Sequence, residues 1–307
     1  MAVPSDSLTQ VAPQTEGEQP PLDETRIASR YGILFRRFRR RRLAMAGLVV
    51  IVLLFLLAFV GPYFTQWSYT DHDFNAFLEG PSTQHWFGTT QTGGDVYALT
   101  LRGMQKSLII GLLVALFSTG MAALVGSFAG YFGGWVDRLL MWFVDLLLVL
   151  PSFLIIAILS PAFRGKTWLV FVVLLAAFLW MVTARIVRGM TISLRDREYV
   201  LAARYMGVPA HRIIFRHILP NISSLLIVDA TINVSTAVIA ETGLSYFGFG
   251  VQPPDVSLGT LIADGTRSAV TYPWMFAFAA GLLVAVVLAV NLVGDGLRDA
   301  LDPTSGL

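Results

Sequence analysis

The 307-residue sequence contains no cysteine, which excludes disulfides, iron–sulfur clusters and cysteine–zinc sites. Charge is scarce as well. Asp, Glu, Lys and Arg make up 14% of the chain, against about 25% in a soluble domain. With 55% hydrophobic residues, the composition fits lipid as the main solvent rather than an ordinary water-soluble core. A net charge of +2 excludes the global positive field that draws nucleic acid. Lysine is nearly missing: of 22 basic residues only Lys106 and Lys166 are lysine. Histidine is confined to His72, His85, His211 and His217, too scattered to offer metal-ligand spacing. No Ser/His/Asp arrangement is supported, so the chain carries no legible catalytic or metal site.

What it has in plenty is long apolar runs. A helix that crosses the hydrocarbon core needs about 20 mostly apolar residues. Six runs qualify: 43–60, 107–125, 139–159, 168–183, 218–240 and 274–293. Open strands are excluded because lipid offers no partner for unpaired backbone groups. The runs are also too long and too continuous for barrel strands. The prediction is an all-α polytopic membrane protein with six transmembrane helices. With the N-terminus inside, the inner segments hold seventeen of the 22 basic residues, while Arg102, Lys106, Arg164, Lys166 and Arg267 fall in outer segments. This asymmetry puts both termini in the cytoplasm.

Residues 1–42 read as a cytoplasmic tail, 43–303 as the transmembrane domain and 304–307 as a C-terminal tail. Residues 1–25 are rich in Pro, Gln, Ser, Thr and acids and are predicted to be disordered. Arg36, Arg37, Arg39, Arg40, Arg41 and Arg42 then lead into the first apolar run. Leu34, Phe35 and Phe38 share one helical face beside them, a pattern that suits a short helix lying on the anionic inner leaflet. A signal peptide begins similarly. The apolar run is long, however, and Phe59-Val60-Gly61-Pro62 lacks a small-x-small cleavage site, so an uncleaved anchor is expected.

The most informative stretch is the inner loop at 195–221. Glu198 to Met206 contains good helix formers, Gly207 suits a left-handed helix stop, and Pro209 suits the first turn of another helix. The second helix runs to about Leu219, and Pro220 marks the start of the fifth span. Helix–Gly–helix is therefore expected, jutting into the cytoplasm. Ala202 and Ala203 would leave a smooth patch for close approach. Arg204, Arg212 and Arg216 would ring it with charge, and Ile213, Ile214 and Phe215 would offer apolar surface. The plainer alternative is a structured loop whose arginines only set topology.

This stretch resembles the EAA loop of ABC importer permeases: Ala202, Ala203, Gly207, Leu219 and Pro220 fall in register, with Leu201 and His217 as departures. The form Glu-Tyr-Val-x-Ala-Ala-Arg at 198–204 and Arg-His-Ile-Leu-Pro-Asn at 216–221 is similar to the peptide/nickel-type permeases. So are His85-Trp-Phe-Gly-Thr-Thr, Gly93-Gly-Asp-Val, the stretch from Gly130 to Arg138, Asp145 through Ser152, the stretch from Glu241 to Pro254 and that from Asn291 to Pro303. Together they look like the C-type permease of bacterial dipeptide and oligopeptide importers. The resemblance implies a type I ABC importer permease fold in the inner membrane and a peptide substrate. It implies as partners a second, B-type permease, two ABC ATPase subunits, an extracytoplasmic peptide-binding protein and membrane lipid, without nucleic acid. ATP and Mg would be used by the partner ATPases, with no cofactor on this chain. Glu198, Tyr199, Ala202, Ala203, Arg204, Gly207, Arg212, Arg216, His217 and Pro220 are then the ATPase-coupling residues, with the coupling helix at about 205–216.

Four polar residues stand within or near spans: Asp145, Asp229, Glu241 and Asn291. Charge at membrane depth faces the bundle interior or water, so each is a candidate for the transport path or for helix–helix packing. Gly126-x-x-x-Gly130 suits close helix packing. Ser160-Pro-Ala-Phe-Arg-Gly-Lys-Thr167 only superficially resembles a phosphate loop, since Ser160 stands where glycine is needed; the ATPase is expected on another chain. The polar outer stretch 66–101 and Gln252, Pro253, Pro254 and Asp255 are candidate contacts for the binding protein or partner permease. Competing readings are the same machine carrying nickel chelates or glutathione-like solutes, a secondary transporter, for which no internal inverted repeat is visible, and an intramembrane enzyme built on Asp145 and Asp229.

Overall fold

The computed structural model describes residues 30–163 and 168–301. The stretch 1–25, residues 164–167 of the phosphate-loop look-alike and the tail 304–307 lie outside the described residues. Among the described residues the regular structure is helical: α1 Arg30–Arg40, α2 Arg42–Val60, α3 Val96–Phe132, α4 Gly134–Val149, α5 Ser152–Leu159, α6 Leu169–Leu179, α7 Met181–Arg195, α8 Glu198–Tyr205, α9 Ala210–Ile213, α10 Leu219–Tyr246, α11 Leu258–Thr266 and α12 Trp274–Leu301.

Four helical stretches are long and apolar enough to cross a membrane: 42–64, 96–132, 210–246 and 274–301. The other two predicted spans are bent pairs. α4 and α5 meet at 77°, because Pro151 has no N–H to continue the helix and holds Leu150 in extended backbone (φ −75°, ψ 128°). The run 139–159 is therefore not one straight helix. α6 and α7 meet at 47°, and α7 continues to Arg195, so the helix runs about three turns beyond the predicted run 168–183. α3 spans 37 residues, about 55 Å at 1.5 Å per residue, well beyond the ~30 Å hydrocarbon core. Arg102 and Lys106, expected in an outer loop, lie on its first turns. There Lys106 pairs with Asp255 at 2.8 Å and sits 4.5 Å over the Trp168 ring.

α3 is the hub, packed against both α7 and α10, while α2 pairs with α12 and α12 with α10. The seam with α7 is unusually close. A side chain on Gly126 would begin 2.5 Å from the Ala184 carbonyl oxygen, and one on Gly130 would begin 2.7 Å from that of Arg188. The predicted Gly-x-x-x-Gly packing is thus realised, against α7. The start of α2 lies beside the end of α12, where Arg41 pairs with Asp299 at 3.5 Å. The hydrogen bonds of Ser107 to Glu241 and of Thr119 to Asp229 run in opposite order along the two helices, so α10 lies antiparallel to α3. Both described ends of the chain therefore share one end of the bundle with the α8–α9 region. At the opposite end lie residues 61–95 and α11. His85 is buried there between Asp95, at 2.8 Å from Nδ1, and Asp73, at 3.5 Å from Nε2. Asp95 caps α3 by accepting from the Ala98 N–H at 2.7 Å.

Candidate functional site: a braced helix–turn–helix

The stretch 198–218 forms two short helices across a sharp turn. α8 ends in a Schellman arrangement: the Val208 N–H donates to the Ala203 carbonyl at 3.1 Å and the Gly207 N–H to that of Arg204 at 3.0 Å. Gly207 carries the left-handed backbone this needs, at φ +77°. Pro209, extended at φ −65° and ψ 146°, opens α9. One turn later the helix widens into a π turn at Ile214–Ile218, where the Leu219 N–H reaches back to the Ile214 carbonyl. Pro220 accounts for the widening, since it removes a donor and crowds the preceding turn. The Asn221 amide donates to the His217 carbonyl at 2.6 Å. Helix thus runs without a loop from Ala210 to Tyr246.

The inner face of this motif is apolar and closed. Val200, Ala203, Ile213, Ile214 and Ile218 are buried in one cluster with Phe128 and Tyr131 of α3, Leu194 of α7, and Val208 and Leu219. Arg195 fastens the base by donating to the Gly130 carbonyl at 3.2 Å. This corrects part of the sequence reading. Ala203 packs inward, so the smooth patch reduces to Ala202. Ile213 and Ile214 are spent on the chain's own core, and Phe215 alone of that trio faces out.

The outer face carries Tyr205 at 86% exposure, Met206 at 76% and Phe215 at 52%. Around them Glu198, Tyr199, Ala202, Arg204, Gly207, Arg212, Arg216 and Pro220 are exposed, and His217 is half-buried. Tyr, Met and Arg on a rigid, protruding element are the residue types enriched where proteins dock. Sequence reasoning did not single out Tyr205 and Met206. No local pattern marks them, because only the way α8 packs on α3 and α7 turns them outward while Ala203 of the same turn is buried.

The four polar residues of the spans are distributed differently. Asp229 accepts from Thr183 at 2.6 Å, Asn233 at 2.9 Å and Thr119 at 3.0 Å, joining α3, α7 and α10. Glu241 has no exposed surface and accepts from Ser245 and Ser257, each at 2.6 Å, and from Ser107 at 3.4 Å. Asn291 accepts from Ser235 at 2.9 Å, joining α10 to α12. Asp145 instead pairs with Arg185 on an exposed face shared by α4 and α7. One helical turn further, Arg188 grips Asp137 through two bonds, at 2.5 and 2.6 Å. Sequence reading missed that ion pair because the partners lie 51 residues apart. Asp145 and Asp229 belong to separate clusters and do not form a pair.

A family model described as "Binding-protein-dependent transport system inner membrane component" matches residues 122–305. A second, described as "N-terminal TM domain of oligopeptide transport permease C", matches residues 29–81. The chain is 58% identical over 282 residues to the oligopeptide transport system permease protein OppC of Mycobacterium tuberculosis H37Rv, covering 92% of this chain and 97% of the relative. It is 38% identical over 267 residues to OppC of Bacillus subtilis strain 168, covering 87% of each. A putative peptide permease protein of Brucella suis is 38% identical over 273 residues, covering 88% of this chain and 90% of that one.

Proposed function

The chain belongs to the family of binding-protein-dependent transport system inner membrane components, and from that premise we propose that it is the C-type permease of an ATP-driven importer of di- or oligopeptides. It is a multi-pass inner-membrane protein. In this reading each bent pair is one span, which gives six, and both termini lie in the cytoplasm with the α8–α9 motif. A second permease completes the peptide path, and an extracytoplasmic binding protein delivers the peptide to the end formed by residues 61–95 and α11. Two ATPase subunits use ATP and Mg; this chain hydrolyses nothing itself.

The observation that carries the proposal is the uninterrupted helix from Ala210 to Tyr246. An ATPase groove with an apolar floor and an acidic rim suits Tyr205, Met206 and Phe215 among Arg204, Arg212 and Arg216. Closure of the ATPase pair on ATP would displace the motif, and from Arg212, Phe215 and Arg216 of the docking face the chain runs into the membrane as helix. The sealed inner face passes the same displacement to α3 and α7. Such work requires ATP to favour one state of the whole assembly over the other. A rigid element transmits that difference, whereas a loose loop would dissipate it.

The test is purification in mild detergent from the native membrane, with mass spectrometry of whatever accompanies the chain, followed by reconstitution. The expected result is a second permease and two ATPase subunits, with peptide uptake that requires ATP. A chain that is recovered alone and transports after reconstitution overturns the proposal in favour of a secondary transporter.

A further inference from the structure

The element before the first span has a definite seat. α1 is amphipathic: at 100° per residue, Arg36 and Arg40 share one face with Arg37 and Arg39 flanking it, and Phe35 and Phe38 share the other. The backbone leaves the helix at Arg41 (φ −85°, ψ 101°) and resumes as α2. Phe38 is buried with Ala44 of α2 and Ala300 of α12, against Val293 and Leu297. Its Cε2 lies 3.1 Å from where a side chain on Gly296 would begin. Phe35, one turn back on the same apolar face, is instead 62% exposed, and Leu43, at the start of α2, is 71% exposed. Arg36, Arg39, Arg40 and Arg42 are exposed as well.

We infer that α1 is a binding surface for anionic lipid, with headgroup phosphates against Arg36, Arg39 and Arg40 and Phe35 in the upper acyl region. The guanidinium fork matches phosphate oxygens. An arginine cluster directly before a span is the pattern anionic headgroups recognise. The exposed Phe35 favours lipid over a protein partner: with the exposed Leu43 it puts apolar side chains on both sides of the arginines, at the boundary where the first span begins. A protein groove over Phe35 would have to reach into that boundary. Because Phe38 wedges α1 onto the last turns of α12, lipid that holds α1 also steadies the α2–α12 pair at the end where the helix–turn–helix stands.

The lack of cysteine permits a single reporter, Phe35→Cys, labelled with a polarity-sensitive fluorophore. The assembled transporter is placed in phosphatidylcholine vesicles with or without phosphatidylglycerol, and quenching by a water-soluble quencher is read. The label is expected to be protected severalfold when phosphatidylglycerol is present. Protection is expected to disappear at high salt and in the Arg36→Gln, Arg39→Gln, Arg40→Gln variant, since each arginine near an anionic surface is worth about fivefold in affinity. Equal quenching in both lipids overturns the inference. Protection in phosphatidylcholine alone that vanishes when the ATPase subunits are stripped off also overturns it, and assigns the surface to a protein partner.

Discussion

Replacing Gly207 isolates the turn from everything around it. The residue sits at φ +77°, and an added Cβ meets nothing within 4 Å. A substitution there is therefore strained by the backbone alone, with no clash to confuse the result. Left-handed backbone costs an ordinary L-residue about 1–2 kcal/mol, less for Asn, whose short polar side chain tolerates it. A β-branched residue at positive φ is a genuine outlier and costs more. When the motif is free, that strain opens the turn. When an ATPase groove grips it, the native turn is reimposed and the cost appears in binding. The apparent affinity for the ATPase subunits should then fall about 5–30-fold in Gly207→Ala, further in Gly207→Val, and least in Gly207→Asn. Membrane insertion and the amount of chain should not change, because the buried cluster of Val200, Ala203, Ile213, Ile214 and Ile218 is untouched. The assay is titration of the purified permease pair with its ATPase subunits, alongside peptide-stimulated ATP hydrolysis. Equal affinity and hydrolysis across Gly, Asn, Ala and Val would refute the claim that the turn must be rigid.

Truncating the exposed tip, Tyr205→Ala with Met206→Ala, should leave the thermal stability of the chain within about 0.5 kcal/mol and weaken ATPase association at least tenfold, as for a docking hot spot; a pull-down with the ATPase subunits reads it. Gly126→Leu should lower the melting temperature in detergent, because overpacking against the Ala184 carbonyl costs about 1–3 kcal/mol and α7 cannot retreat without losing its seam with α3. Asp229→Leu strands the Thr119, Thr183 and Asn233 donors at about 1–3 kcal/mol for each group left unsatisfied, whereas Asp229→Asn keeps an acceptor oxygen and should keep most of the stability. If Asp229→Asn melts like the parent protein but peptide uptake collapses, the residue serves the path rather than the packing.

Much of this molecule was legible in its sequence, for definite reasons. Apolar runs long enough to cross lipid announce themselves, and four of the six became long helices. The remaining two were misjudged in shape because a hydropathy run records composition, not direction: Pro151 turns the chain by 77° without interrupting the apolar stretch. The turn at Gly207 was readable because one residue type suits its backbone. Inside and outside were harder to assign. Ala202 and Ala203 are chemically identical, and only the phase of α8 on the end of α3 decides that the second is buried. Ile213 and Ile214 look like docking surface until Phe128 and Tyr131 are placed opposite them. Contacts such as Asp137 with Arg188, or Asp229 with Thr119 and Thr183, join residues far apart in sequence, and no local pattern announces them.

The same three helices meet beneath the helix–turn–helix and again at Asp229. The inner face of the helix–turn–helix rests on the end of α3 and the last turns of α7, and continues directly into α10. About four turns away along α10, Asp229 ties α10 to Thr119 of α3 and Thr183 of α7. A push on Tyr205 and Met206 therefore acts on a lever whose next fixed point is a hydrogen-bonded knot rather than a sliding apolar seam. Apolar contacts trade partners at little cost, but a half-buried carboxylate holding three donors gives them up only by finding others. If the motif docks an ATPase as proposed, movement there is expected to turn α3, α7 and α10 together about that knot. The weaker joint is α4, which meets α7 through the small apolar cluster of Val144 with Met181 and Ala184, the exposed Asp145–Arg185 pair and the Asp137–Arg188 grip, and which bends away at Pro151. Any opening within this subunit should begin between α4 and α7, not between α3 and α10.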